Sequence, residues 1–281
     1  MSHGLKLVNT TLENMIKPEK NYNDNQHYYD LLFSPELNRV STTHGYIKIL
    51  DRIPDNTLVY DVGIGAGIYL THKSIIDKIK QKKLNIIGLD LDSNAIRLCN
   101  TRIQEVGLTN YVSARCKDFM LCDPQKTDQN IVTIFCESFP LMDDKTLSKL
   151  VSHAIDIGSS KILSYQNLEE NSKNFRKYGK NIISSLSGCD FGRVLNLTLL
   201  ENNTKPYKPI IVETISIKPS EFPITILFKK ACSLNLIWWW LTVIFLSVLK
   251  LLGIIFHPLN NLLETKQCVV EWNNTNIQLK L

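Results

Sequence analysis

From Thr57 onward, short apolar runs alternate with stretches at helical spacing, and the first run turns directly into three glycines at alternate positions, in VYDVGIGAGIYL (residues 59–70). TLVYDVG reads as a strand and IYLTHKSIIDKIKQKK as a helix with a basic last turn. LNIIGLDLD is a strand, and SNAIRLCNTRIQEVG a helix with a serine cap and a glycine stop. NYVSARCKDF and QNIVTIFCESF are strands, DDKTLSKLVSHAIDIG is a helix with an acidic start, and KILSYQNL is a fifth strand. Five strands joined mainly by helices demand right-handed crossovers, hence a parallel, doubly wound α/β sheet.

A further helix is predicted over SKNFRKYGKNIISSLS, and then the pattern changes. RVLNLTLLENN and PIIVETISIK are β-rich with only a Thr-Lys-Pro turn between them, so an antiparallel hairpin at the sheet edge is expected. Apolar residues at helical spacing from His27 to Ile53 place a helical segment before the first strand. The expected division is a polar arm over 1–26, an α/β domain over 27–220, and a separate segment over 221–281.

The net charge of +5 is too small and too dispersed for a nucleic-acid-binding stripe. The seven cysteines are odd in number, scattered, and contain no CxxC, so neither a metal site nor a disulfide framework is expected. Reduced, mostly buried thiols in a cytosol-facing compartment are the reading.

The glycines lie where a doubly wound sheet binds ligands, at the carboxyl end of its first strand. A dinucleotide fingerprint would need its third glycine at position 68, which is Ile68, and no Lys-Ser/Thr pair follows for a P-loop. What stands is D-x-G-x-G-x-G: Asp61, Gly63, Gly65 and Gly67. This resembles motif I of the class I S-adenosylmethionine-dependent methyltransferases. The chemistry agrees: such a cofactor has no pyrophosphate but carries an amino-acid tail, whose ammonium Asp61 could receive while the glycine turn passes beneath tail and ribose.

The second strand ends at Asp90, 23 residues after Gly67, where a carboxylate can accept both ribose hydroxyls. Asp92 reads better as a helix cap. The family resemblance implies that Asp118 meets the adenine amino group, with Phe119 or Leu91 against the ring. The expected cofactor is S-adenosyl-L-methionine, and the expected activity is methyl transfer.

Acceptor contacts in such enzymes often come from the end of strand four, here FCESFPLMDD, which makes Glu137 and Ser138 the catalytic candidates. Tyr165 and Asn167 at the next strand end are further candidates. The Asp/Asn-Pro-Pro-Tyr motif of amino-methylating nucleic-acid enzymes is absent. Upstream, Tyr29, Asp30, Leu31, Phe33, Pro35 and Arg39, taken with the glycine motif and Leu70, resemble the bacterial phosphatidylethanolamine N-methyltransferase type over residues 27–120, although Ala66 replaces the usual threonine. That resemblance makes Tyr29 a lid over the cofactor. Aromatics packing a helix onto the sheet would read the same way.

Residues 234–256, LNLIWWWLTVIFLSVLKLLGIIF, are apolar on all sides and, at 1.5 Å each, roughly 34 Å long, enough to cross a bilayer core. Trp238, Trp239 and Trp240 suit an aromatic belt, and Lys250 can snorkel. The expectation is a single-pass transmembrane helix with the catalytic domain in the cytosol and a lipid headgroup or other membrane-associated acceptor; a segment lying in one leaflet is the alternative. Two further readings stay open: a methyltransferase of a soluble small molecule or protein whose tail serves only for localisation, and a non-enzymatic membrane protein with a degenerate fold.

Overall fold

The structure is a computed structural model that describes residues 41–124, 129–166, 168, 195–217, 237–255 and 265–273. The polar arm, Tyr29 and its neighbours, Asn167 and the helix expected over SKNFRKYGKNIISSLS lie outside the described residues.

The first helix, α1 (Ser41–Arg52), buries Tyr46, Ile49 and Leu50, spaced for one helical face, with Ile53 just beyond its end. It precedes five parallel strands: β1 (Leu58–Val62), β2 (Asn85–Asp90), β3 (Val112–Cys116), β4 (Ile131–Cys136) and β5 (Lys161–Gln166). β1 and β4 are buried at every position, as strands covered on both faces must be. Between them run α2 (Lys73–Gln81), α3 (Ser93–Glu105) and α4 (Asp144–Asp156). A short 3-10 turn over Ile68–Thr71 precedes α2, so the expected continuous helix is broken at His72, whose backbone is extended. Asp92, and not Ser93, caps α3: its Oδ1 accepts from the amides of Asn94 and Ala95.

The order across the sheet is β3-β2-β1-β4-β5-β7-β6. Side chains alternate between two cores. Val59, Ile134, Leu163, Tyr165 and Val269 face the one that takes in α1 and α2. Tyr60, Phe135, Ile162, Val270 and Trp272 face the one that takes in α4.

The expected hairpin is formed differently. Leu197–Asn203, read as strand, is a helix (α5), with Asn196 capping it by accepting from the Leu199 amide. β6 (Lys208–Ile217) does pair antiparallel, but its partner is β7 (Thr265–Asn273), which inserts between β6 and β5. The sheet therefore takes a strand from well beyond residue 220.

That connection also decides the fate of the apolar segment. It forms α6 (Ile237–Ile255), 19 residues and about 28 Å long. Among the described residues no helix is long and apolar enough to cross a membrane. Topology gives an independent reason. The residues before and after α6 belong to adjacent strands, with Ile217 opposite Thr265, whereas a single span would leave those strands on opposite sides of a bilayer. The described residues therefore do not support the single-pass expectation.

Candidate cofactor site

The strand order reverses between β1 and β4, which creates a crevice at their carboxyl ends. Gly63, Gly65 and Gly67 fill it with φ values of +80°, +56° and +62°, a left-handed region that side chains resist. Space is also lacking. A Cβ on Gly63 would stand 2.8 Å from the Ser138 Cβ, and one on Gly67 would stand 2.5 Å from the Cys99 Sγ. The turn is held to the second strand by the Gly63 amide donating to the Leu89 carbonyl at 2.7 Å.

Asp90 joins this loop to the end of β2. Its Oδ2 accepts from the Gly65 amide and its Oδ1 from the Asp92 amide, both at 2.9 Å. A carboxylate has about four acceptor positions, so each oxygen keeps capacity for a further donor. Burial raises the Asp90 pKa, with the backbone bonds working against that rise.

Asp61 sits at the end of β1 with no exposed surface. Its Oδ2 accepts from the hydroxyl of Tyr46 at 3.0 Å and from that of Tyr69 over a shorter distance. The two rings stack with centroids 3.8 Å apart. Desolvation pushes the carboxyl up to about 7, against the lowering effect of the two hydroxyls and with a small further push from Asp90. Among the described residues its Oδ1 has no hydrogen-bond partner, an orphan acceptor that a cation would satisfy. The expected ammonium receptor is thus a buried group under two tyrosines, not an open carboxylate.

At the adenine end the expectations divide. Asp118 caps a short turn, accepting from the Met120 amide at 2.9 Å, and Leu91 is 59% exposed. Phe119 is not available to a ligand ring. It is 2% exposed and packs inside the core, edge-on to His153 at 5.1 Å and beside Tyr60 and Phe135. The single residue step from Asp118 turns it inward, which leaves Leu91 as the apolar surface.

At the end of β4, Glu137 has φ +56°, uncommon for a residue with a Cβ and a form of strain that concentrates at functional sites. Its amide donates to the Tyr165 carbonyl at 2.8 Å. Its Oε1 accepts from Gln267 Nε2 at 2.9 Å, and the Gln267 Oε1 accepts in turn from the Tyr165 hydroxyl. Ser138, the other candidate, is buried against Gly63, and its Oγ has no partner. It supports the glycine loop more directly than it faces an acceptor.

Four contributors were not found from the sequence. Tyr46 and Tyr69 carry no motif that marks them. Gln267 lies in a segment read as membrane anchor. Gln166, fully buried at the end of β5 with neither amide atom partnered among the described residues, had no local motif to mark it.

No family model matches the sequence, and no curated protein matches it. Solved structures do resemble the fold. A geranyl diphosphate methyltransferase in complex with S-adenosylmethionine aligns over 87% of this chain and 90% of its own, with a TM-score of 0.51 and 12% identity. The geranyl diphosphate C-methyltransferase of Streptomyces coelicolor A3(2), bound to S-adenosyl-L-homocysteine, covers 92% and 85% with a TM-score of 0.51 and 12% identity. A cyclopropane synthase from Mycobacterium tuberculosis covers 81% and 83%, with a TM-score of 0.51 and 11% identity. The chain has the seven-stranded mixed α/β fold of the class I S-adenosylmethionine-dependent methyltransferases.

Proposed function

We propose that this chain is an S-adenosylmethionine-dependent methyltransferase acting on a small-molecule acceptor held near the end of β4. The observation that carries the reading is the glycine turn, tied at Gly65 to Asp90 and lying beside a buried Asp61 with one orphaned oxygen. Asp61 Oδ1 would take the ammonium of the amino-acid tail, Asp90 the ribose hydroxyls, and Leu91 one face of the adenine, with Asp118 near its amino group. When bound, the cofactor would supply an electrophilic methyl group: an acceptor lone pair would bond to that carbon in line as its bond to the sulfonium sulfur breaks and the neutral thioether leaves. The chain's part is then to orient the acceptor, exclude water and hold any proton that leaves it. Glu137 is the group suited to that proton, since its backbone is forced into position and Gln267 fixes one of its oxygens.

Structural neighbours that take geranyl diphosphate favour a small molecule over a macromolecule. The phosphatidylethanolamine-type reading, with a lipid headgroup as acceptor, is a second reading, favoured by the point at which the α6 insertion leaves the sheet. Calorimetric titration with S-adenosyl-L-homocysteine tests the core of the proposal. Binding by the wild type and its loss in Asp90→Ala are expected, and an absence of heat in the wild type would sink it.

A further inference from the structure

Ile217 and Thr265 are register partners, so the stretch between β6 and β7 leaves the sheet and returns to it at one place. Because Gln166 pairs with Cys268 near the start of β7, that place is on the carboxyl edge of β5, the edge that carries the glycine turn and Glu137. Within the stretch, α6 exposes Leu241, Ile244, Val248, Leu251, Ile254 and Ile255, each at least half accessible, while Val243 is buried. Steps of three and four residues from 241 to 255 draw these side chains into a continuous apolar stripe along the helix.

The sequence around the stripe says what covers it. Trp238, Trp239 and Trp240 occupy consecutive positions of the first turn, about 200° of the circumference. A seam between two helices uses one stripe, whereas a bilayer interface accepts aromatic rings over a wide arc. Lys218, Lys229 and Lys230 precede the helix against the single carboxylate Glu221, a local excess of positive charge that complements anionic headgroups. A helix in a connection between two paired strands can lie in such an interface with both strands on one side of it.

We propose that α6 is an in-plane membrane-docking helix, seated on the surface of an anionic leaflet with its Leu241-to-Ile255 stripe among the acyl chains. Docking in this way sinks the helix about 5–10 Å into the headgroup boundary. It holds the carboxyl edge of the sheet next to the membrane, so an acceptor resident there could reach Glu137 without crossing bulk water. The docking does not depend on the methyltransferase reading, and its test uses no methyl donor.

Flotation of the full-length protein with phosphatidylcholine vesicles, with and without phosphatidylserine, gives the answer. The wild type should float with the anionic vesicles and be largely released by high salt. Leu241→Glu/Ile244→Glu/Val248→Glu should stay at the bottom while keeping the wild-type circular dichroism spectrum. Lys229→Glu/Lys230→Glu, which leaves the stripe intact, should weaken partitioning roughly tenfold or more. Tags at the two termini should both be digested by protease added outside the vesicles. The proposal is overturned if the wild type ignores both vesicle types, or if one tag is protected. It is equally overturned if light scattering finds a wild-type dimer that the triple variant converts to monomer without any vesicle binding.

Discussion

Tyr46, on the helix that precedes the sheet, donates its hydroxyl at 3.0 Å to Asp61 Oδ2 at the end of the first strand. Tyr69, from the turn after the glycines, donates to the same oxygen. One carboxylate thus joins three elements, and among the described residues its other oxygen has no hydrogen-bond partner.

Because burial raises Asp61 to about 7, the native apo protein holds a proton there that the unfolded chain releases near 4. The folded state binds more protons between those values, so Asp61 contributes stability below pH 4 that is lost as pH rises toward 7. The loss is on the order of a few kcal/mol. Thermal melts across that range should show the decline in the wild type, and Asp61→Asn should flatten it. A matching decline in Asp61→Asn would assign the effect to another group.

An ammonium beside Asp61 favours the ionised carboxylate, so cofactor affinity should rise with pH up to about 7. Tyr69→Phe removes a hydrogen bond to the charged form and should move that midpoint upward by roughly one unit. Calorimetry with S-adenosyl-L-homocysteine over a pH series measures both. An unchanged midpoint in Tyr69→Phe would separate Asp61 from the binding event.

Gly63→Ala meets two obstacles, a φ of +80° and a Cβ 2.8 Å from that of Ser138. A loss of roughly 1–3 kcal/mol is expected from backbone strain alone. Adding Ser138→Gly removes the clash but not the strain, so the double variant should recover part of the lost stability. Full recovery, or none, would contradict this division.

Glu137 holds φ +56° against its side chain's preference. Glu137→Gly should therefore raise the midpoint of thermal unfolding, by an amount corresponding to ~1 kcal/mol, while lowering kcat. Glu137→Gln keeps the strain and should lower kcat by roughly 10²–10⁴-fold with little change in cofactor affinity. If Glu137→Gly proved both less stable and fully active, the residue would be structural.

Burial pushes the Cys99 thiol up to about 12 and raises that of Cys136 well above the usual thiol range, whereas Cys116 is exposed. Among the described cysteines, Cys116 should be the first alkylated at neutral pH, as peptide mapping would show. Earlier labelling of Cys136 would mean that the core beside Asp61 opens readily.

The strand and helix identities of the parallel half were legible because local pattern and burial agree there. VYDV and IVTIFC are apolar but for Asp61 and Thr133, as strands covered on both faces require, and Asp92 and Asp143 cap their helices through bonds within three residues. The glycine turn was legible for the same local reason: positive φ at alternate positions leaves glycine almost no substitute. LNLTLLENN misled because β-branched and apolar residues in a short run suit either state, and the cap at Asn196 decided for helix.

What the sequence by itself determined is the alternation of strands and helices and the glycine turn, since both rest on contacts between neighbours in the chain. Only the tertiary structure decided that Phe119 turns into the core, that two distant tyrosines cover Asp61, and that Gln267 reaches Glu137. It also decided that the apolar helix lies in the connection between two adjacent strands, with Ile217 opposite Thr265. Those outcomes depend on residues up to 130 positions apart meeting across a sheet, a pairing that composition and periodicity do not encode.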